Sequence, residues 1–133
     1  MQITQVSAFL ENRPGRLLYL LNVLSDAQVN IIAHNIVDAS DFGIVHLLVS
    51  DPKQALAAMR AAGLTCSSSE VLVVTVPDEP GAFVRKILMP LAQSNVNIEY
   101  SYAYAVQETH EARIVFKLSD LTKGKKILAQ LEK

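Results

Sequence analysis

The chain has 133 residues, half of them hydrophobic, and its 12 basic and 13 acidic residues give a formal net charge of −1. This near balance excludes the basic surface that nucleic-acid binding requires, and the single cysteine, Cys66, excludes an internal disulfide or a cysteine-based metal site. The sequence shows no leader pattern and no apolar run near the roughly 20 residues of a membrane span. We therefore expect a cytoplasmic protein that binds neither nucleic acid nor membrane.

The first half of the chain predicts a strand, a helix, two strands, a second helix and a last strand. Pro14-Gly15 marks the turn before the first helix, and Pro14 suits the first helical position because its missing N–H costs nothing there. Leucines between Leu17 and Leu24 then recur at the spacing of one buried helical stripe. Asp51-Pro52 begins the second helix. The predicted strands cover residues 3–10, 29–37, 44–49 and 65–70.

The second half predicts the same order without its last strand. Pro80-Gly81 marks the turn before a helix that contains Pro90, which is expected to kink that helix or end it early. The predicted strands cover residues 71–76, 97–106 and 112–118, and a final helix covers 122–133. No residues remain for a fourth strand, so this copy is βαββα and leaves a sheet edge that needs a partner.

The two halves are copies of one module. Pro14-Gly15 recurs as Pro80-Gly81, and Val29-Asn30-Ile31 recurs as Val96-Asn97-Ile98, at nearly the same spacing. A fixed internal spacing is the signature of a repeated structural unit. We therefore divide the chain into modules at residues 1–70 and 71–133.

The two loops resemble the loop-one signature of ACT domains, at residues 11–17 and 77–83, and each is followed by that family's Asn-Ile at the start of a strand. The resemblance implies an α+β fold of two tandem ferredoxin-like βαββαβ modules with antiparallel sheets. It also implies a non-catalytic regulatory protein without a cofactor, a homodimer, and an amino-acid effector held where modules or subunits meet. An amino-acid metabolic enzyme is the expected partner in trans. The alternative is a regulatory subunit of a biosynthetic enzyme such as acetolactate synthase, although the second Pro-Gly copy counts against it.

The candidate ligand-binding residues share these two loops and the two strand starts. In the first copy they are Asn12, Arg13, Pro14, Gly15, Arg16, Leu17, Asn30 and Ile31. In the second copy they are Asp78, Pro80, Gly81, Ala82, Phe83, Asn97 and Ile98.

The chemistry of a helix start also favours these two loops as ligand-binding sites. The first turn of a helix presents unpaired N–H groups that suit a carboxylate, and a glycine there permits close approach. Asn12 can donate and accept, whereas ionised Asp78 only accepts, so a carboxylate fits the first loop and an ammonium the second. We therefore predict that the first copy holds the tighter site. The structural alternative is that the glycines serve only packing and that Asn30 and Asn97 only anchor their strands.

Other side chains suggest weaker hypotheses. Ile98 and three tyrosines, at positions 100, 102 and 104, alternate along one predicted strand face, where packing against another module or subunit is favoured over base stacking. His34, His46 and His110 are too dispersed to indicate a metal site. No phosphate loop or nucleophile motif is present, so nothing assembles a catalytic site. Apolar residues around the loops favour a branched or aromatic ligand side chain.

Overall fold

A computed structural model describes residues 1–77, 79–105 and 111–131. Asp78 and His110, which the sequence analysis singled out, lie outside the described residues. The chain divides into two compact units. We call Thr4–Ser69 the first unit, and Met1–Ile3 together with the described residues from Glu70 onward the second unit.

Strands and helices follow the repeated order that the sequence predicts. The strands are β1 (Gln2–Glu11), β2 (Ile31–Ala39), β3 (Phe42–Val49), β4 (Thr65–Pro77), β5 (Ile98–Ala105) and β6 (Glu111–Leu118). The helices are α1 (Arg16–Asp26), α2 (Pro52–Ala61), α3 (Met89–Gln93) and α4 (Leu121–Leu131), with a π-helical turn at Val84–Leu88 directly before α3. The strand order is β2-β3-β1-β4 in the first unit and β4-β6-β5 in the second. The α+β class and the antiparallel ferredoxin-like modules are thereby confirmed.

The core of the first unit lies between its sheet and the two helices α1 and α2. Alternate residues of the two strands face this core, namely Val6, Ala8 and Leu10 of β1 and Val45, Leu47 and Val49 of β3. Leu20 and Leu24 are the fully buried residues of the α1 stripe. Asp51 caps α2 by accepting a hydrogen bond from the Gln54 N–H at 3.1 Å. The predicted start of α2 is therefore confirmed.

The core of the second unit repeats this arrangement with an altered first helix. Phe83 stacks on the buried Phe116 with ring centroids 5.9 Å apart. The π-helical turn Val84–Leu88 gives way to the short α3, in which Pro90 lies in the first turn. Proline cannot donate a backbone hydrogen bond inside a helix, so the ladder is interrupted ahead of it. Pro90 does not end this helix early, because the helical run continues through it to Gln93.

The second unit contains no fourth strand after α4 within the described residues, and the start of the chain occupies that position. The terminal nitrogen of Met1 donates to the Val73 carbonyl at 2.9 Å, and the Val73 N–H donates to the Met1 carbonyl at 2.8 Å. Two reciprocal bonds of this kind define an antiparallel pair. The edge of β4 at Val73 is therefore covered by the start of the chain and needs no partner there.

In the part of the chain that the structure describes, no helix is both long enough and apolar enough to cross a membrane.

Candidate functional site

The loop from β1 to α1 of the first unit, residues 12–15, is here called loop one. Gly15 caps α1 with a φ of +88°, and α1 begins at Arg16. Pro14 therefore lies in the turn and not at the first helical position, because the left-handed Gly15 follows it and interrupts the helical run. A Cβ placed on Gly15 would meet no atom within 4 Å, so the glycine is required by its φ and leaves open space beside it.

Asn12 ties loop one to the turn between β2 and β3. Its side-chain amide donates to Asp38 Oδ1 and to the Ser40 carbonyl, both at 3.2 Å. Its backbone N–H donates to the Asp41 carbonyl at 2.7 Å. The donor that the sequence assigned to a ligand is thus engaged with a carboxylate, and Asn12 and Asp38 form one polar unit.

Two arginines meet the Glu11 carboxylate on the other side of loop one. Glu11 Oε2 lies 2.7 Å from Arg16 Nε and 3.3 Å from Arg13 Nη2. The Arg16 Nε contact lacks hydrogen-bond geometry and acts as an ion pair, which the guanidinium supplements by lying 5.0 Å from the centroid of the Tyr19 ring. The Arg13 side chain is 71% exposed, so its pairing is weak and its guanidinium can turn toward a ligand.

A small cavity of about 100 Å³ lies where loop one meets the end of the β2–β3 hairpin. Its apolar lining comes from Leu10, Leu17, Ile36 and Val45. Its polar lining comes from Glu11, Asn12, Arg13 and Asp38, with Gly43 completing the wall. An apolar base beneath one cation and two carboxylates matches a small molecule that carries both charges.

Asn30 lies at the opposite end of the same sheet from loop one. Asn30 N–H donates to Ser50 Oγ at 2.9 Å, and Ser50 N–H donates to the Asn30 carbonyl at 2.9 Å. Loop one instead adjoins the other end of β3, where Glu11 pairs with Phe42. The eight residues of β3 separate these ends by roughly 26 Å at about 3.3 Å per residue, so Asn30 and Ile31 do not share the cavity of their own unit.

The second copy repeats the anchoring role of this asparagine. Asn97 N–H donates to Ser119 Oγ at 2.9 Å, and Ser119 N–H donates to the Asn97 carbonyl at 2.9 Å. Both asparagines therefore anchor the start of a strand through their backbone.

In the second copy, the space beside the equivalent glycine, Gly81, is filled. Gly81 has a φ of +80°, and a Cβ placed on it would lie 2.6 Å from Arg85 Nη1. Arg85 Nη2 donates to the Pro80 carbonyl at 3.3 Å, which holds the guanidinium over the glycine. Ala82 is buried and Phe83 is half-buried in the core. Of the two glycines, only Gly15 has open space beside it.

The β2–β3 hairpin brings to the cavity residues that the loop motifs did not indicate. Asp38 pairs with Gly43, and Gly43 pairs with Leu10 at the end of β1. The predicted strands 29–37 and 44–49 imply a tight turn between them, so counting back along that hairpin places Asp38 and Ile36 on one face, beside loop one.

The tyrosines of β5 do not share a face with Ile98. A β-bulge between Ile98 and Tyr100 reverses the alternation, so Ile98 pairs with Leu118 toward the core. Tyr102 pairs with Val115 on the other face and is 9% exposed. Burial, reinforced by the neighbouring tyrosines, raises the pKa of the Tyr102 hydroxyl above its ordinary value.

Comparisons with known proteins agree with this fold. A crystal structure of protein BT0572 from Bacteroides thetaiotaomicron is 32% identical in sequence, with a TM-score of 0.92 over 99% of this chain and 90% of that one. The ligand-free regulatory subunit of aspartate kinase from Thermus thermophilus is 13% identical, with a TM-score of 0.65 over 98% of this chain and 93% of that one. The corresponding subunit from Thermus flavus is 12% identical, with a TM-score of 0.64 over 100% of this chain and 96% of that one.

A search of curated protein sequences found no match. The family model of the ACT domain pair matches residues 1–132. With a match over nearly its whole length, the chain belongs to the family of paired ACT domains.

Proposed function

We propose that the chain is a non-catalytic regulatory protein that senses a small amino acid in the loop-one cavity of its first unit. The observation that carries this proposal is the lining of that cavity. One guanidinium, one amide and two carboxylates surround a patch of four aliphatic side chains. No acid lies in the first turn of α1, so its unpaired N–H groups and positive end add to the attraction for an anion.

The charges assign an orientation to the ligand. The α-ammonium takes the place of the Asn12 amide on Asp38 Oδ1, which now accepts that amide at 3.2 Å. The α-carboxylate meets the first turn of α1 and the exposed guanidinium of Arg13. The displaced Asn12 amide then donates to the carboxylate. On Asp38, the ligand thereby replaces a bond with one ionised partner by a bond in which both partners are ionised.

The cavity also limits the ligand side chain. Its volume of about 100 Å³ and its aliphatic lining favour a short side chain over the aromatic one that the sequence left open. Leu10 and Val45 at its base belong to the core cluster of the unit, so the base is rigid.

Regulation through such a site requires that the ligand prefer one of two conformations. Loop one and the β2–β3 turn are joined through Asn12, and a ligand that breaks and replaces this contact changes how the turn is held. The neighbours named as regulatory subunits of aspartate kinase support a role in controlling an amino-acid metabolic enzyme. A homodimer that contacts such an enzyme in trans remains our proposal for the working form. A permanent subunit of a biosynthetic enzyme such as acetolactate synthase is the alternative.

Calorimetric titration with each of the twenty amino acids tests the site. We expect a small aliphatic amino acid to bind, and Asp38→Asn to weaken that binding by about tenfold or more, since a bond to a charged group is lost. Asp41→Asn is the matched control, because Asp41 contacts Asn12 only through its backbone carbonyl and does not line the cavity. Equal affinity in Asp38→Asn and the parent protein would refute the assignment.

A pull-down separates the two working forms. A free-standing sensor purifies without an enzyme and changes its sedimentation when the amino acid is added. A permanent subunit co-purifies with one large enzyme whether or not the amino acid is present.

A further inference from the structure

A second cavity lies in the second unit, between Met1, β4 and α4. It has a volume of about 190 Å³. Its lining is Met1, Leu72, Val74, Lys125, Leu128 and Ala129. Five of these six side chains are apolar, and the sixth carries an ammonium group.

The cavity exists because the two copies fill this position differently. In the first unit β4 supplies the fourth strand, where Leu64 is buried and Cys66 packs against Leu56 of α2, its Sγ 4.0 Å from the Leu56 carbonyl. In the second unit Met1–Ile3 lie at the equivalent position, and Met1 lines the cavity together with residues of β4 and α4.

A polar chain crosses the rim of this cavity. Lys125 Nζ donates to Gln2 Oε1 at 3.3 Å, and Gln2 Nε2 donates to Glu70 Oε2 at 3.2 Å. The two ends of one neutral amide thus contact a cation and an anion. An α-amino acid has the same pattern with full charges, because its carboxylate accepts and its ammonium donates.

The polar chain Lys125–Gln2–Glu70 and the apolar cavity lie on the same side of the second unit. Glu70, Leu72 and Val74 alternate along β4 and so share one face. Lys125, Leu128 and Ala129 are spaced by three and four residues on α4 and so share one side of that helix. A ligand head group held at Gln2 therefore has the cavity directly beside it.

We propose that this cavity is a second amino-acid site, selective for an aliphatic side chain. The carboxylate binds Lys125, the ammonium binds Glu70, and the side chain enters between Leu72, Val74 and Leu128. The Gln2 amide is displaced into solvent. A cavity of roughly 150 Å³ in an engineered lysozyme accepts a small apolar ligand, so about 190 Å³ has room for an aliphatic side chain. The site is separate from the loop-one cavity, and the proposed function does not require it.

Calorimetric titration of the whole chain with L-leucine tests the site, with two analogues that each lack one charge. We expect 4-methylpentanoate, which lacks the ammonium, and 3-methylbutylamine, which lacks the carboxylate, to bind about tenfold or more weakly than leucine. Lys125→Gln and Glu70→Gln are each expected to weaken leucine binding to the same extent. Lys126→Gln removes an exposed lysine one position along α4 and is expected to leave binding unchanged.

A cavity-filling variant and a loop-one variant separate this site from the proposed function. Ala129→Leu places a larger side chain at the cavity and is expected to abolish leucine binding without lowering the melting temperature. Asp38→Asn is expected to leave leucine binding at this site intact, so a loss in that variant assigns the leucine to loop one and overturns the second site. The proposal also fails if leucine does not bind, or if both charge variants bind it like the parent.

Discussion

At matching positions on the two sheets, the first unit buries polar side chains and the second buries apolar ones. Ser7 pairs with His46 across β1 and β3. The repeat places Val73 and Val115 at the equivalent positions, and these two residues pair across β4 and β6. His46 is 8% exposed and Val115 is fully buried, so both units exclude water from this point.

The polar cluster of the first unit is internally bonded. His46 Nδ1 lies 2.9 Å from Ser7 Oγ and 3.3 Å from Gln5 Nε2, and Gln5 also donates to Ser69 Oγ at 3.5 Å. In the second unit Val71 replaces Gln5, and Tyr102 packs beside Val115 in register. A bonded polar cluster and an apolar one thus occupy the same place in one fold.

The opposite face of each sheet does not differ in this way. Toward the helices, both units present buried hydrophobic residues, such as Leu47 of β3 and Phe116 of β6. The shared fold therefore depends on the face that packs against the helices. The other face only needs its buried groups to be satisfied, and it is free to diverge between the copies.

The most direct test of this comparison is to exchange the polar and the apolar residue at the matching positions. Val115→His buries an imidazole among valines, without the Ser and Gln partners of His46, and we expect it to lower the free energy of unfolding by about 2–3 kcal/mol. Urea unfolding followed by circular dichroism measures the loss.

The reciprocal variant, His46→Val, is the control for that exchange. It leaves Ser7 and Gln5 without their His46 contacts, although Gln5 keeps its bond to Ser69, so we expect a loss of about 1–2 kcal/mol. Equal losses in the two variants would mean that the two faces do not differ in the way described.

The two loop glycines give a smaller effect. Gly15→Ala and Gly81→Ala each force an L-residue into the left-handed region, and we expect each to cost about 1–2 kcal/mol of stability. The Arg85 guanidinium above Gly81 is the far end of a flexible side chain and can move aside, so the two losses should agree within about 0.5 kcal/mol. A markedly larger loss for Gly81→Ala, removed in the Arg85→Ala background, would show that this guanidinium is held rigidly.

The repeat made most of the fold predictable from sequence. Turn residues such as Pro14-Gly15 and Pro80-Gly81 place the starts of the first helices to within two residues, and the leucine spacing of α1 identifies its buried stripe. Pro90 was expected to kink its helix or end it early, but the helical run continues to Gln93 with a π-helical turn ahead of the proline.

Features that depend on strand register, or on contacts between residues distant in sequence, could not be predicted. Asp38 reaches the loop-one cavity only through the register of β2 with β3. One bulge after Ile98 reverses the faces of the tyrosines that follow. Gln2 and Lys125 are distant in sequence and meet only because Met1–Ile3 fill a strand position of the second unit.

The smallest predicted effect is a pH dependence confined to the polar cluster of the first unit. Burial lowers the pKa of the His46 imidazole below its ordinary 6.5. Gln5 Nε2 donates to Nδ1, so this nitrogen accepts and the neutral ring carries its proton on Nε2. If Nδ1 were protonated, its N–H would face the N–H of Gln5 Nε2, so that two donors would face each other.

The sign follows from proton binding in the two states. Below pH 6.5 the unfolded chain protonates this histidine, while the folded chain keeps it neutral down to its lowered pKa, so stability falls as the pH falls through this window. We expect the free energy of unfolding to drop by about 1 kcal/mol or less from this group between pH 7.5 and 5.5. His46→Val is expected to remove the drop, because valine, which is also the residue at the matching position of the second unit, does not titrate. His34→Gln, at an exposed histidine of β2, is the control and is expected to retain it. A drop of equal size in His46→Val would mean that the pH dependence arises elsewhere and that the polar cluster carries no titration of its own.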